Sequence, residues 1–117
     1  MIKEAYCSFE VSNLLREKGF DGLCHSFWYV GKNILECKCV SRPTHQVAMA
    51  WLRSKGIYIS VFIDDESEMP WTYNVYKELR DGTTECVYHH HGHYYPLEDG
   101  YEEAVEAALK YSLENLI

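Results

Sequence analysis

The chain has 117 residues, with 18 Asp and Glu against 11 Lys and Arg, for a formal net charge of −7 at pH 7. That length fits a single domain over residues 1–117, and the apolar and charged content is that of an ordinary folded chain rather than a disordered one. The acidic balance argues against direct nucleic-acid binding, which needs Lys and Arg on phosphates. No run of about 18 apolar residues is present to cross a membrane. No basic stretch followed by an apolar one opens the chain, so no signal peptide and no membrane partner are expected, and the location read from the sequence is cytoplasmic. The five cysteines (Cys7, Cys24, Cys37, Cys39 and Cys86) are odd in number, which fits a reducing compartment better than a disulfide scaffold.

The first predicted helix runs from about Ser8 to Lys18. Ser8 is a favourable N-cap, Val11, Leu14 and Leu15 form one apolar stripe, and Gly19 with Phe20 behind it makes a left-handed stop. Two strands follow, near Cys24–Val30 and Ile34–Val40, joined by Gly31-Lys32-Asn33. A three-residue loop pairs Phe27 with Cys37 and His25 with Cys39. The face carrying His25, Phe27, Tyr29, Leu35, Cys37 and Cys39 is then read as the core side. Trp28, Glu36 and Lys38 fall on the half-solvated side.

A second helix is expected from Pro43 or Thr44 to Lys55, with Val47, Ala48, Trp51 and Leu52 as its apolar stripe. Its ending, Lys55-Gly56-Ile57, repeats the stop signal of the first. Ile57–Asp64 alternates as a strand, and an acidic loop leads to Pro70. Trp71–Leu79 and Thr84–His91 read as a hairpin around Asp81-Gly82, the strongest short turn signal in the chain. A two-residue loop there pairs Val75 with Tyr88, Lys77 with Cys86 and, unfavourably, Glu78 with Glu85. The last helix is expected over Gly100–Leu116. Asp99 and Glu102 form a capping-box-like pair, Tyr101, Ala104, Val105, Ala108, Leu109 and Ser112 share the inner face, and Glu106 and Lys110 pair on the outer one. The order α-β-β-α-β-β-β-α predicts an α+β fold: a five-stranded, mainly antiparallel sheet with the helices mostly on one face.

Two segments, Pro43-Thr44-His45-Gln46-Val47-Ala48-Met49-Ala50-Trp51-Leu52-Arg53 and Tyr101–Tyr111 with its closing Leu113–Ile117, resemble a group of short uncharacterised proteins of gut bacteria and their phages or mobile elements. The resemblance covers about a quarter of the chain. It implies a cytoplasmic accessory protein linked to a mobile element, and it brings no activity, cofactor or catalytic residue.

Several constellations could carry chemistry. His89-His90-His91-Gly92-His93 places His89, His91 and His93 on one side of an extended strand, where imidazoles can ligate Zn²⁺ or Ni²⁺. His45 beside Gln46 opens the second helix and, as a first-turn residue, is expected to be exposed. His25 near Cys39 has the residue types of a nucleophile and its base but no third group to orient them. Asp64-Asp65-Glu66-Ser67-Glu68 is acidic without the spacing or glycine of an EF-hand. No glycine-rich phosphate loop and no G-x-S-x-G occur. The aromatic surplus includes Trp28, Tyr58, Phe62, Trp71, Tyr76, Tyr94 and Tyr95, more than three short helices can cover. Exposed Trp and Tyr rimmed by charge suit a protein interface.

The sequence therefore reads as a non-enzymatic, protein-binding accessory or regulatory module. Trp28, Trp71, Tyr94 and Tyr95 are its interface candidates, and its own copy is one expected partner, giving a homodimer. No cofactor is expected beyond Zn²⁺ or Ni²⁺ at the His cluster. The rival readings are a small metal-dependent enzyme or metal-binding protein using His89–His93, and an acidic mimic of nucleic acid.

Overall fold

A computed structural model describes residues 4–22, 24, 26–31, 38–64, 68–89 and 94–117. Within them the chain forms α1 (Phe9–Glu17), β1 (Phe27–Val30), β2 (Lys38–Ser41), α2 (His45–Ser54), β3 (Ile57–Ile63), β4 (Trp71–Glu78), β5 (Thr84–Tyr88) and α3 (Gly100–Asn115). The fold is α+β. The strands make two antiparallel sheets, β1-β2 and β3-β4-β5, instead of the single five-stranded sheet expected from the sequence.

Helix α1 begins where Ser8 accepts a hydrogen bond from the Val11 N–H. It ends in a Schellman turn: Gly19 at φ +91° donates to Arg16, and Phe20 donates to Leu15. Helix α2 begins at Thr44, whose hydroxyl accepts from Val47 N–H. Its buried stripe is His45, Ala48, Met49 and Leu52. That is a shift from the expected stripe, since Val47 is exposed and Trp51 is only half-buried. Spacing i, i+3, i+4, i+7 is satisfied only when the histidine is counted as an inward residue.

The β1-β2 register pairs Phe27 with Ser41, Trp28 with Val40 and Tyr29 with Cys39, so the connection is longer than the expected three residues. The buried face is also the opposite one. Val40 is buried and Trp28 half-buried, whereas Phe27, Tyr29 and Cys39 are exposed. The cause is α1, which packs against β2 and covers the Trp28–Val40 side. The expected partners His25, Leu35, Glu36 and Cys37 lie outside the described residues.

In the second sheet, Leu79 N–H donates to Thr83 and Gly82 adopts φ +87°, so three residues, Arg80-Asp81-Gly82, turn the hairpin rather than two. Glu78 then faces Thr84, and Lys77 faces Glu85. A bulge between Val75 and Tyr76 restores the expected Val75–Tyr88 pair. The like-charge Glu78–Glu85 pair is thereby avoided and replaced by an opposite-charge one.

One core joins these parts: Cys7, Val11 and Leu15 at α1, Ala48, Met49 and Leu52 from α2, Ile57, Tyr73 and Val75 from the sheet, and Ala104, Val105, Ala108, Leu109 and Leu113 from α3. Helix α2 lies on β3, α3 lies on β3 and β4, and α1 lies on α3 and β2. The alanines of α3 let its backbone approach the sheet. Gly100, at its start, lies against the Trp71 ring and the Tyr95 backbone. Tyr101, expected inward, is exposed at the helix edge. Asp99 precedes α3 at φ +60° and makes no side-chain cap, so the expected capping box is not formed.

Candidate functional site

Two helix beginnings are laid side by side by a short backbone ladder. Tyr6 bridges Thr44 in antiparallel sense; Cys7 N–H donates to Pro43 O at 2.9 Å and His45 N–H to Ala5 O at 2.8 Å. The latter bond satisfies one of the N–H groups that every helix start leaves over. Cys7, immediately before the α1 cap, is thus pinned beside His45, the first residue of α2. Both are buried.

Helix α3 supplies the third member. Glu106 is half-buried, and one of its carboxylate oxygens accepts from Ser8 N–H at 2.8 Å and from His45 Nε2 at 2.9 Å. This corrects the expected Glu106–Lys110 pair on the outer face. Lys110 instead reaches Glu10 at 2.9 Å and Glu114 at 4.0 Å. Burial works to raise the proton affinity of Glu106, but the hydrogen bonds from His45 and Ser8 outweigh it and hold the carboxyl below its ordinary value. The Cys7 thiol moves the other way. Burial first, then the charges of Glu106 and Cys24, push it up to about 12. Its Sγ lies 3.9 Å from Thr44 O. His45 Nδ1 is buried and has no hydrogen-bond partner among the described residues.

These groups form the floor of a cleft of about 640 Å³, within the range of ligand sites of 300–1,000 Å³. Tyr6, Trp28 and Tyr95 supply aromatic wall, and Asp99, Glu102 and Glu103 add exposed carboxylates at the rim. Arg42 is the one arginine or lysine in the lining among the described residues; its guanidinium carbon lies 4.6 Å from the Tyr6 ring centre and 4.7 Å from that of Trp28. Arg42 Nε is buried without a hydrogen-bond partner among the described residues. With its cation spent on the aromatic wall, the cleft presents an acidic mouth.

The expected site residues are scattered by comparison. Trp28 lines the cleft; its indole N–H is shared between Cys7 O at 3.3 Å and Ser12 Oγ at 3.2 Å, and its ring meets Phe9 edge-on. Tyr95 also lines the cleft. Trp71 sits at the other end of the same strand pairing, exchanging backbone hydrogen bonds with Tyr95, donating its indole N–H to Leu97 O at 3.3 Å and meeting Tyr101 edge-on. Tyr94 donates to Asp64 at 3.0 Å. His89 is exposed, and His91 and His93 lie outside the described residues, as do Asp65, Glu66 and Ser67 of the acidic run.

The sequence reading missed Cys7 and Glu106 and took His45 for a surface residue. The available signal was the α2 periodicity, which closes only if His45 is buried. A buried histidine needs a partner, and a carboxylate on the inner edge of α3 is the natural one. No protein-family model, no curated protein and no solved structure matches this chain, so its site stands on its own geometry.

Proposed function

We propose that this protein is a non-enzymatic binding module that acts by contact with another protein, and that the cleft above Cys7, His45 and Glu106 receives a basic side chain of that partner. The observation that carries this reading is the pairing of aromatic walls, Tyr6, Trp28 and Tyr95, with the rim carboxylates Asp99, Glu102 and Glu103. The carboxylates favour a cationic group by charge and the Tyr95 face by its quadrupole, while the Tyr6 and Trp28 rings already carry Arg42. The net charge of −7 adds long-range attraction for a basic partner. Turnover is not supported by the thiol: Cys7 is fully buried and stays protonated at neutral pH, so it offers no accessible nucleophile.

The test is a titration, with chelator present, using short peptides that differ at one position, Arg, norleucine or Glu. The Arg peptide is expected to shift the resonances of Tyr6, Trp28 and Tyr95, and Glu102→Gln with Glu103→Gln is expected to weaken it about tenfold, with a matching loss of salt dependence. Equal binding of the Glu peptide would refute the reading. A second copy of the chain is the partner to test first, since twofold dimers are the commonest soluble assemblies. Sedimentation equilibrium at micromolar concentration decides that point, and a mass of 13.7 kDa throughout would remove the homodimer.

A further inference from the structure

We infer that Cys7, His45 and Glu106 form a binding site for a borderline-soft divalent cation of the Zn²⁺ class, three protein ligands with the fourth position turned toward the cleft. One ligating atom from each residue lies within 4.8 Å of the other two. Ligands on a tetrahedral Zn²⁺, with bonds of about 2.0–2.3 Å, sit about 3.2–3.8 Å apart. His45 Nε2 and Glu106 Oε1, 2.9 Å apart, would open by less than about 1 Å around an ion. Separations of up to 4.8 Å in the group would close by about 1–1.5 Å.

Three features make this more than proximity. The first is that two of the three ligand positions are fixed by backbone rather than by their own side chains. Cys7 and His45 are held together by the Cys7–Pro43 and His45–Ala5 hydrogen bonds at the roots of α1 and α2. A site assembled before the ion arrives loses little order on binding. The second is the donor chemistry. Thiolate, imidazole and carboxylate together suit Zn²⁺ or Co²⁺ and not Ca²⁺ or Mg²⁺, which take all-oxygen shells. The charges also balance: a divalent ion with one thiolate and one carboxylate is neutral, which is what a buried centre requires. Binding releases the thiol proton to solvent, moves the ring proton of His45 from Nε2 to Nδ1, and changes no oxidation state.

The third feature is His45 itself. The residue is only 5% exposed, and its ring commits one nitrogen to Glu106 and leaves the other buried and without a partner among the described residues. Buried polar atoms in folded chains are almost always partnered. When Nε2 turns from Glu106 to the ion, Nδ1 is the nitrogen left to carry the ring proton, so the imidazole ligates while staying neutral. Above it the cleft leaves room for water, or for a donor atom of whatever enters, at the fourth position. The site is distinct from the His89–His93 cluster and does not rest on the peptide-binding reading, which is tested with chelator present.

The experiment uses the untagged full chain, stripped with chelator and titrated with Co²⁺, then with Zn²⁺ in competition. One equivalent of Co²⁺ is expected to give the near-ultraviolet thiolate-to-cobalt charge-transfer band together with intense tetrahedral ligand-field bands, and Zn²⁺ is expected to bleach both. Cys7→Ser should remove the charge-transfer band. Glu106→Gln, nearly isosteric and chosen because it preserves the Ser8 contact, should weaken Zn²⁺ by more than the ~10–100-fold that outer-sphere partners contribute. His89→Ala/His91→Ala/His93→Ala should leave the band in place. The wild-type spectrum alone can overturn the inference, whether or not any variant folds: no thiolate band at one equivalent refutes it. So does a band that survives in Cys7→Ser, or one that disappears in the triple-histidine variant.

Discussion

Glu106 is where the packing of α3 against the roots of α1 and α2 can be weighed. Replacing it with Ala removes the acceptor for two donors, Ser8 N–H at 2.8 Å and His45 Nε2 at 2.9 Å. Hydrogen bonds to a charged group are worth about 1.5–3 kcal/mol each. The carboxylate retains 28% of its side-chain exposure, so water recovers part of the loss at Ser8, whereas His45, at 6%, is left with neither ring nitrogen partnered among the described residues. The expected cost is about 2–4 kcal/mol. For a chain of this size each kcal/mol moves the thermal midpoint by about 4 °C, so Tm should fall by about 8–16 °C. Glu106→Gln keeps an oxygen that can serve one of the two donors and should lose about half as much. Thermal unfolding followed by circular dichroism, with chelator present, measures both. Combining Glu106→Ala with His45→Ala should cost less than the sum of the single changes, by about 1–2 kcal/mol. A drop under about 3 °C, or strict additivity with His45→Ala, would show that the pair is not what joins these helices.

Other outcomes follow from the same structure. Gly100→Ala improves helix propensity by about 1 kcal/mol, yet the new Cβ would lie 2.9 Å from Trp71 Cδ1 and 3.0 Å from the Tyr95 carbonyl carbon. A net loss of about 1–3 kcal/mol in urea unfolding is expected, and a gain would mean that Trp71 yields freely. Burial, then a hydrogen bond with Tyr88 and neighbouring charges, hold the Tyr73 phenol above its ordinary value. Because the folded value is the higher, its contribution is intact below the unfolded value of about 10 and is lost as the pH rises past it. Stability should therefore fall above about pH 10, less steeply in Tyr73→Phe, and identical slopes for the two proteins would contradict this. Trp28→Phe keeps a ring but loses the N–H shared by Cys7 O and Ser12 Oγ, for about 1 kcal/mol by chemical denaturation; an unchanged midpoint would show that the bond contributes nothing. Trp71→Ala removes the Tyr101 contact and the bond to Leu97, so it should lower Tm even in a monomer, and sedimentation equilibrium separates this loss from any loss of self-association.

Helix ends were the most readable parts of this sequence because each is a local device. Ser8 and Gly19-Phe20 bound α1 by side-chain and backbone bonds within a few residues, and the structure places them as the pattern implies. The hairpin at Asp81-Gly82 was equally local, yet its register was missed by one residue near the turn. A three-residue loop and a bulge compensate each other, and neither leaves a composition signal beyond the avoided Glu78–Glu85 pair. The β1-β2 faces were read inside out. Alternation tells which residues share a face, but not which face another element will cover, and here α1 chose the side with Trp28 and Val40. The candidate site was least legible. Cys7, His45 and Glu106 are separated by 38 and 61 positions, and each taken alone looks ordinary. The tertiary ladder between residues 5–7 and 43–45 makes Cys7 and His45 neighbours, and the packing of α3 brings Glu106 to them.

That ladder has a kinetic meaning. Cys7 lies in a short segment, residues 5–7, held to the α2 root by two backbone hydrogen bonds. Short segments held by few hydrogen bonds open locally at far lower free energy than whole-molecule unfolding. Each excursion of residues 5–7 would bring the thiol to solvent while the rest of the core stays closed. Cys39 and Cys86 are exposed and should react with a thiol reagent at once. Cys24 is half-buried, so the slow phase that belongs to Cys7 is the one lost in Cys7→Ser, and its rate counts how often residues 5–7 let go. The molecule carries an internal clock for that motion, readable without introducing a probe.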